Sequence, residues 1–152
     1  MAFQKTLVLI AALSASPSTA NVDRFEELNC LAKNIYFESR NQPIIGRIAV
    51  GQVTMNRVNS PKFPNTVCEV VRQGGEKRNR CQFSWYCDGK LDEPKSEPTW
   101  DESVYLSLLI YSEEATIDVT EGALWYHATY VSPSWAEHYE KTVRINDHIF
   151  YR

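Results

Sequence analysis

The chain is predicted to be α+β, helix-rich with a small β part and a cleft between the two. Three observations carry this. Apolar residues recur at helical spacing through the first half, and capping pairs punctuate it. β-branched and aromatic residues gather late, in 123–127 and 143–151. Helices first and short β segments afterwards are the pattern of segregated layers.

Asp23 with Glu26 forms a capping-box pattern, after which Phe25, Leu28, Leu31, Ala32 and Ile35 define a first helix running to about Phe37 or Glu38. Pro43 suits the first turn of a second helix, which carries Ile45, Ile48, Ala49, Val53 and Val58 and stops near Ser60-Pro61. Thr66 and Glu69 start a short helix ending at Gly74-Gly75. Thr99 and Glu102 start a longer one through Tyr111. Between them, Cys81 to Cys87 has a strand-like aromatic texture closed by the turn pair Asp88-Gly89. Ala123–His127 and Val143–Tyr151 are expected to be extended, separated by a loop around Pro133.

The first twenty residues hold one Lys, an apolar run from Leu7 to Leu13, and Ser18 and Ala20 at the spacing of a cleavage site. They are expected to be a signal peptide, leaving 21–152 as one domain exported to the periplasm or the cell exterior. The apolar run is far short of the roughly 20 residues a spanning helix needs, so membrane association is expected to be at most transient and through this leader. The whole chain has 152 residues, 43% hydrophobic and 23% charged, with net charge −3. That composition supports a packed core, and its acidity excludes nucleic acid as an expected partner. The basic stretch Lys77, Arg78, Arg80 reads as a solvated loop. A monomer is expected, because no heptad segment is present.

Cys30, Cys68, Cys81 and Cys87 are an even set behind an export signal, which points to disulfides. Three pairings are open, although Cys81 and Cys87 bracket a loop short enough to close locally. No paired C-x-x-C favours zinc, and no cofactor is expected.

Glu38 falls at the expected C-terminal end of the first helix, where the helix dipole disfavours negative charge. Aromatic neighbours Tyr36 and Phe37 add desolvation in the same direction. A carboxyl kept protonated near neutrality is what glycoside cleavage needs as general acid. Taken alone, a solvated Glu beside Arg40 is the commoner arrangement.

Several stretches in order shift that balance: Tyr36-Phe37-Glu38-Ser39-Arg40, the run Gly46 to Val53, Asn56-Arg57-Val58, Phe63-Pro64-Asn65-Thr66-Val67, Gln82-Phe83-Ser84 and Gly122 to His127. Together they resemble the SleB-like cell-wall hydrolases, the family of spore-cortex-lytic enzymes and their relatives in bacteria and phages. The resemblance spans about Leu28 to Arg152. It implies a lysozyme-like catalytic domain acting on peptidoglycan glycan strands, with its catalytic glutamate on Glu38. Where that family often has Glu-Ala-Arg-Gly-Glu, this chain has Ser39 for the Ala and Asn41-Gln42 for Gly-Glu, so a second acid there is missing. A lone acid suits a lytic transglycosylase, whereas hydrolysis usually needs two carboxylates. Glu69, Glu121 or Asp88 would have to fold into the cleft to supply the second.

Gln82, Phe83, Ser84 and Trp85 fit a glycan-binding wall, with the two aromatics equally suited to the core. A strand over Ala123–Trp125 sends alternate side chains to opposite faces, and Tyr126 is chosen for the cleft, to orient Glu38 or an acetamido group. His127 is expected to assist. Asn56 is expected to contact substrate, and Arg57 to serve structure, if the first two helices form a hairpin. Two rivals stand beside this reading: a zinc amidase using His127, His138 and His148, which match no metal signature, and a wall-binding module using Trp85, Trp125 and Trp135.

Overall fold

A computed structural model describes residues 19–113 and 117–152. The expected leader lies, except for its last two positions, outside the described residues. No helix among them is long and apolar enough to cross a membrane.

Among the described residues, four α-helices precede a three-stranded sheet: α1 Thr19–Ser39, α2 Ile44–Val58, α3 Val67–Arg72, α4 Glu97–Tyr111, then β1 Trp125–Ala128, β2 Lys141–Ile145 and β3 His148–Tyr151. The class and the succession of four helices before a β part are those the sequence predicts. Several boundaries differ for physical reasons.

α1 is already helical at Asp23, since no Gly or Pro stands between Thr19 and that residue. Its supposed capping partner Glu26 instead pairs with Arg72 of α3, 2.9 Å away. Pro43 is the N-cap of α2, one place before the first turn. Thr66 caps α3 as its spacing predicts, accepting from the Glu69 amide while its hydroxyl donates to the Glu69 carboxylate. α4 starts at Glu97 and not at Thr99, because Pro98 belongs in a first turn. Thr99 and Glu102 instead receive Arg47, a buried cation from α2 that also donates to Ser103.

The segment Cys81–Cys87 is not a strand. Six extended steps along the chain would span roughly 20 Å, whereas Cys81 and Cys87 form a disulfide with Cα atoms 6.0 Å apart, and Ser84–Cys87 winds into a 3₁₀ turn. Val143–Tyr151 is likewise not one segment. Asn146, with φ 49°, turns the chain between β2 and β3. The sheet order is β1-β3-β2, antiparallel throughout. The loop around Pro133 contains a short 3₁₀ turn, Ser134–His138.

The helices pack around Leu31, Ile35, Val67, Val70, Val71, Phe83 and Leu106. Gly51 lets α2 come close: a Cβ there would lie 2.6 Å from Ile110 and 3.0 Å from Ile35. A second cluster of Ala49, Val53, Ala123 and Phe150 joins α2 to the sheet, and Tyr126 packs against both clusters. Cys30–Cys68 ties α1 to α3. Glu26 stands beside those two sulfurs, but their bond to each other leaves no thiolate to hold a metal.

Candidate active site

Glu38 occupies the last turn but one residue of α1, where backbone carbonyls no longer find amide partners within the helix. Phe37 before it stacks on Trp85, with ring centroids 4.8 Å apart, and meets Tyr36 edge-on. Ser39 after it is fully buried and donates to the Ile35 carbonyl, 2.7 Å away, which fixes the end of the helix. Arg40 lies over the Tyr36 ring, so it is not the partner of Glu38.

The partner comes from the sheet. The Tyr126 hydroxyl donates to the Glu38 carboxyl at 2.8 Å. Strand alternation turns Tyr126 toward the helices and places it against Phe150 and His148 of β3. Burial raises the Glu38 pKa above the ordinary carboxylate value, opposed by the Tyr126 hydrogen bond and the Arg57 charge. Burial also pushes the Tyr126 phenol up, with the neighbouring Glu38 charge adding to it, so the phenol remains a donor.

The same alternation turns His127 the other way, a correction to its expected role. Its Nδ1 lies 2.8 Å from the Ala128 carbonyl and must donate there, while its Nε2 is 2.9 Å from the Tyr151 hydroxyl. It stacks on Tyr151 and meets Trp135 on the outer face of the sheet. His148 lies on the inner face, so these two of the three histidines do not converge.

Asn56 is also corrected. Its amide donates to Asp118 at 2.9 Å, to Thr120 at 3.3 Å and to the Ala123 carbonyl at 3.1 Å, so it holds the loop leading into β1. Burial raises the Asp118 carboxyl, but bonds from Thr120, Asn56 and Gly122 outweigh it and hold the group below its usual range. Phe83 is a core residue, 2% exposed, lying under the Arg57 guanidinium at 5.1 Å. Trp85 is buried too and donates to Asn34. Only Gln82 and Ser84 of that stretch face solvent and can meet a ligand.

Three polar groups escaped sequence reasoning. Asn34 bridges Thr54 and Trp85 within the core. Gln52 donates to the Ile117 carbonyl and accepts from the Val119 amide, pinning the chain on its way to β1. Gln42, standing where a second acid is frequent in the resembling family, donates to Asp147 of the β2–β3 turn, 3.2 Å away. Asn34 was detectable as a polar residue inside the apolar stripe between Leu31 and Ile35. The others had no local signal.

Glu69 is engaged with Thr66, Glu121 is exposed, and Asp88 binds the Lys90 amide. None of these carboxylates perturbs Glu38, whose charged neighbour is Arg57.

Residues 41–151 match the cell wall hydrolase family, a span beginning just after Glu38. The spore cortex-lytic enzyme of Bacillus subtilis is 32% identical over 126 residues, covering 82% of this chain and 37% of that protein. A spore cortex-lytic enzyme of Bacillus cereus is 44% identical over 45 residues, 30% of this chain and 17% of that one. The chain therefore spans 37% of the Bacillus subtilis relative and 17% of the Bacillus cereus one. Among solved structures, the catalytic domain of the Bacillus cereus SleB protein aligns with TM-score 0.64 at 26% identity, covering 84% of this chain and 91% of that one. The catalytic domain of the germination-specific lytic transglycosylase SleB from Bacillus anthracis aligns with TM-score 0.63 at 28% identity, covering 83% and 93%. Fold and sequence agree: this chain belongs to the cell wall hydrolase family and has the α+β fold of SleB catalytic domains.

Proposed function

We propose that this chain cleaves the glycan strands of bacterial peptidoglycan as a lytic transglycosylase, with Glu38 as its single acid and base. The observation that carries the reading is the half-buried Glu38 carboxyl, held by the Tyr126 hydroxyl at 2.8 Å, while Glu69 and Asp88 are engaged elsewhere and Glu121 faces solvent. The similarity to a spore cortex-lytic enzyme and to a germination-specific lytic transglycosylase supports it.

In this mechanism Glu38 starts protonated, as its raised pKa favours, and gives its proton to the bridging oxygen between muramic acid and glucosamine. The C1–O bond breaks as the sugar's own 6-hydroxyl oxygen attacks C1. The hydroxyl proton returns to the Glu38 carboxylate, so the acid is regenerated and no water is consumed. The product is an anhydro-muropeptide. Tyr126 orients the carboxyl, and the exposed Gln82 and Ser84 offer hydrogen bonds to sugar hydroxyls. The site is reached after export, residues 1–20 serve as the signal peptide, and the domain acts as a monomer.

Mass spectrometry of soluble fragments tests this, using the purified, oxidised protein on peptidoglycan with and without chelator. Anhydro-muropeptides unaffected by chelator are expected. Reducing-end muropeptides would mean hydrolysis with a second carboxylate, released peptides would mean an amidase, and bound protein without fragments would mean a wall-binding module.

A further inference from the structure

Arg57 is the group at this site whose placement structure alone does not explain. It lies on α2 with 2% of its surface exposed. Its Nε donates to the Leu124 carbonyl at 2.7 Å, just before the strand that carries Tyr126. Its guanidinium is held between two rings, 5.2 Å from the centre of Phe63 and 5.1 Å from that of Phe83. Its Nη1 is buried and meets no hydrogen-bond partner among the described residues.

A buried cation normally has a carboxylate in contact, because desolvating an unpaired charge costs several kcal/mol. The other buried arginine, Arg47, obeys this rule through Glu102. Arg57 has no carboxylate at ion-pair distance among the described residues. The acidic group that feels its charge is Glu38, and the same field reaches the Tyr126 phenol. Burial lowers Arg57 to about 10, with Tyr126 and Glu38 acting in the opposite direction. It is therefore a cation throughout the neutral range. A methionine would fill the same apolar slot between two rings without that desolvation cost.

We propose that Arg57 is a positioning residue whose fixed positive charge, clamped between Phe63 and Phe83 beside Glu38, stabilises the carboxylate left when the acid gives up its proton. The inference rests on the reading of Glu38 as the acid. Before proton transfer Glu38 is neutral and Arg57 stands without a counter-ion. As the proton leaves, the new carboxylate completes a pair that the fold has already oriented, so the stabilisation is realised in the transition state and not in the resting enzyme. The Tyr126 hydroxyl supplies the hydrogen bond and Arg57 the charge. Beyond Tyr126 lies His148, which Asp147 and His127 perturb and which burial keeps below its usual pKa. It brings no competing cation to Glu38 at neutral pH.

The test compares wild type with Arg57→Met and Arg57→Lys, measuring kcat and KM on purified glycan strands from pH 4 to pH 9 and thermal stability in parallel. Activity needs protonated Glu38, so it falls as pH rises through the pKa of that group. Removing the nearby cation moves this falling limb upward by about one pH unit. At the optimum kcat drops at least about tenfold with KM little changed. Arg57→Lys, which keeps the charge and loses the fork, returns the limb to its wild-type position. Should the Met variant not fold, Arg57→Gln, whose amide can still donate to Leu124, carries the same comparison. A limb that stays in place in a folded neutral variant, with activity falling only in step with stability, would overturn the proposal. Glu38→Gln separates the two ideas: if it stays active, the reading of Glu38 itself has failed.

Discussion

Tyr126 and Glu38 stand 88 positions apart in the chain and meet at 2.8 Å, phenol donating to carboxyl, between the first strand and the last turn of the first helix. This contact joins the two halves of the fold and sets the geometry of the acid. Tyr126→Phe removes the donor while keeping the ring that packs on Phe150 and His148. Its kcat on glycan strands is expected to fall roughly tenfold, the kinetic equivalent of one hydrogen bond to a charged group. Thermal unfolding should move little, and a loss of activity matched by a large loss of stability would contradict this.

Glu38 is expected to cost the fold stability at neutral pH. Its folded pKa is raised above 4.5 by burial, so its contribution is fully present below about pH 4.5 and is lost as pH rises through the folded pKa. Glu38→Gln should abolish glycan cleavage, by at least about a thousandfold. Above pH 6 it should also raise Tm, by about 3 °C for each kcal/mol relieved. Scanning calorimetry of both proteins at pH 4 and pH 7 checks this, since the gain should shrink at the lower pH.

Asn56 is expected to act on stability and not on substrate affinity. Asn56→Ala strips three hydrogen bonds from the loop before β1 and leaves the Asp118 carboxylate short of a donor, at a cost of about 2 kcal/mol. Asn56→Asp places a like charge against Asp118 and should cost more. Denaturant titration gives the stabilities, and the KM of any folded variant should stay near wild type.

The two disulfides should differ in weight. Cys30–Cys68 closes a separation of 38 residues and Cys81–Cys87 one of 6. Loop-closure entropy gives about 4 kcal/mol for the first and about 2 kcal/mol for the second. Paired Cys→Ala variants under oxidising conditions check the order. The Cys81–Cys87 pair should also change glycan affinity more, because Gln82 and Ser84 lie inside its ring.

The helices were legible because their apolar spacing and caps are local, as Thr66 with Glu69 shows. Where prediction failed, a nonlocal constraint had won. The disulfide bent Cys81–Cys87 out of the extended form its aromatic residues favour, and Pro98 moved the start of α4 ahead of a plausible capping pair. At the site, the helix end alone did not separate Glu38 from a solvated residue and the resemblance of the surrounding stretches selected it, while strand alternation left Trp125 or Tyr126 for the cleft and the hydrogen-bonding phenol decided between them. The same alternation, applied one residue further, turns His127 away. Asn56 was misread because spacing along one chain does not reveal that a loop 60 residues later claims the amide; Phe83, open between wall and core in the sequence, is core.

The strand carrying Tyr126 has β3 as its neighbour in the sheet, and β3 spans His148–Tyr151. Glu38 can take its place on a nascent helix long before then. The phenol has no sheet to hold it until those later residues are added and docked. A chain that lacks β3 thus carries Glu38 without the Tyr126 hydrogen bond, and the two side chains meet only once strands and helices have docked.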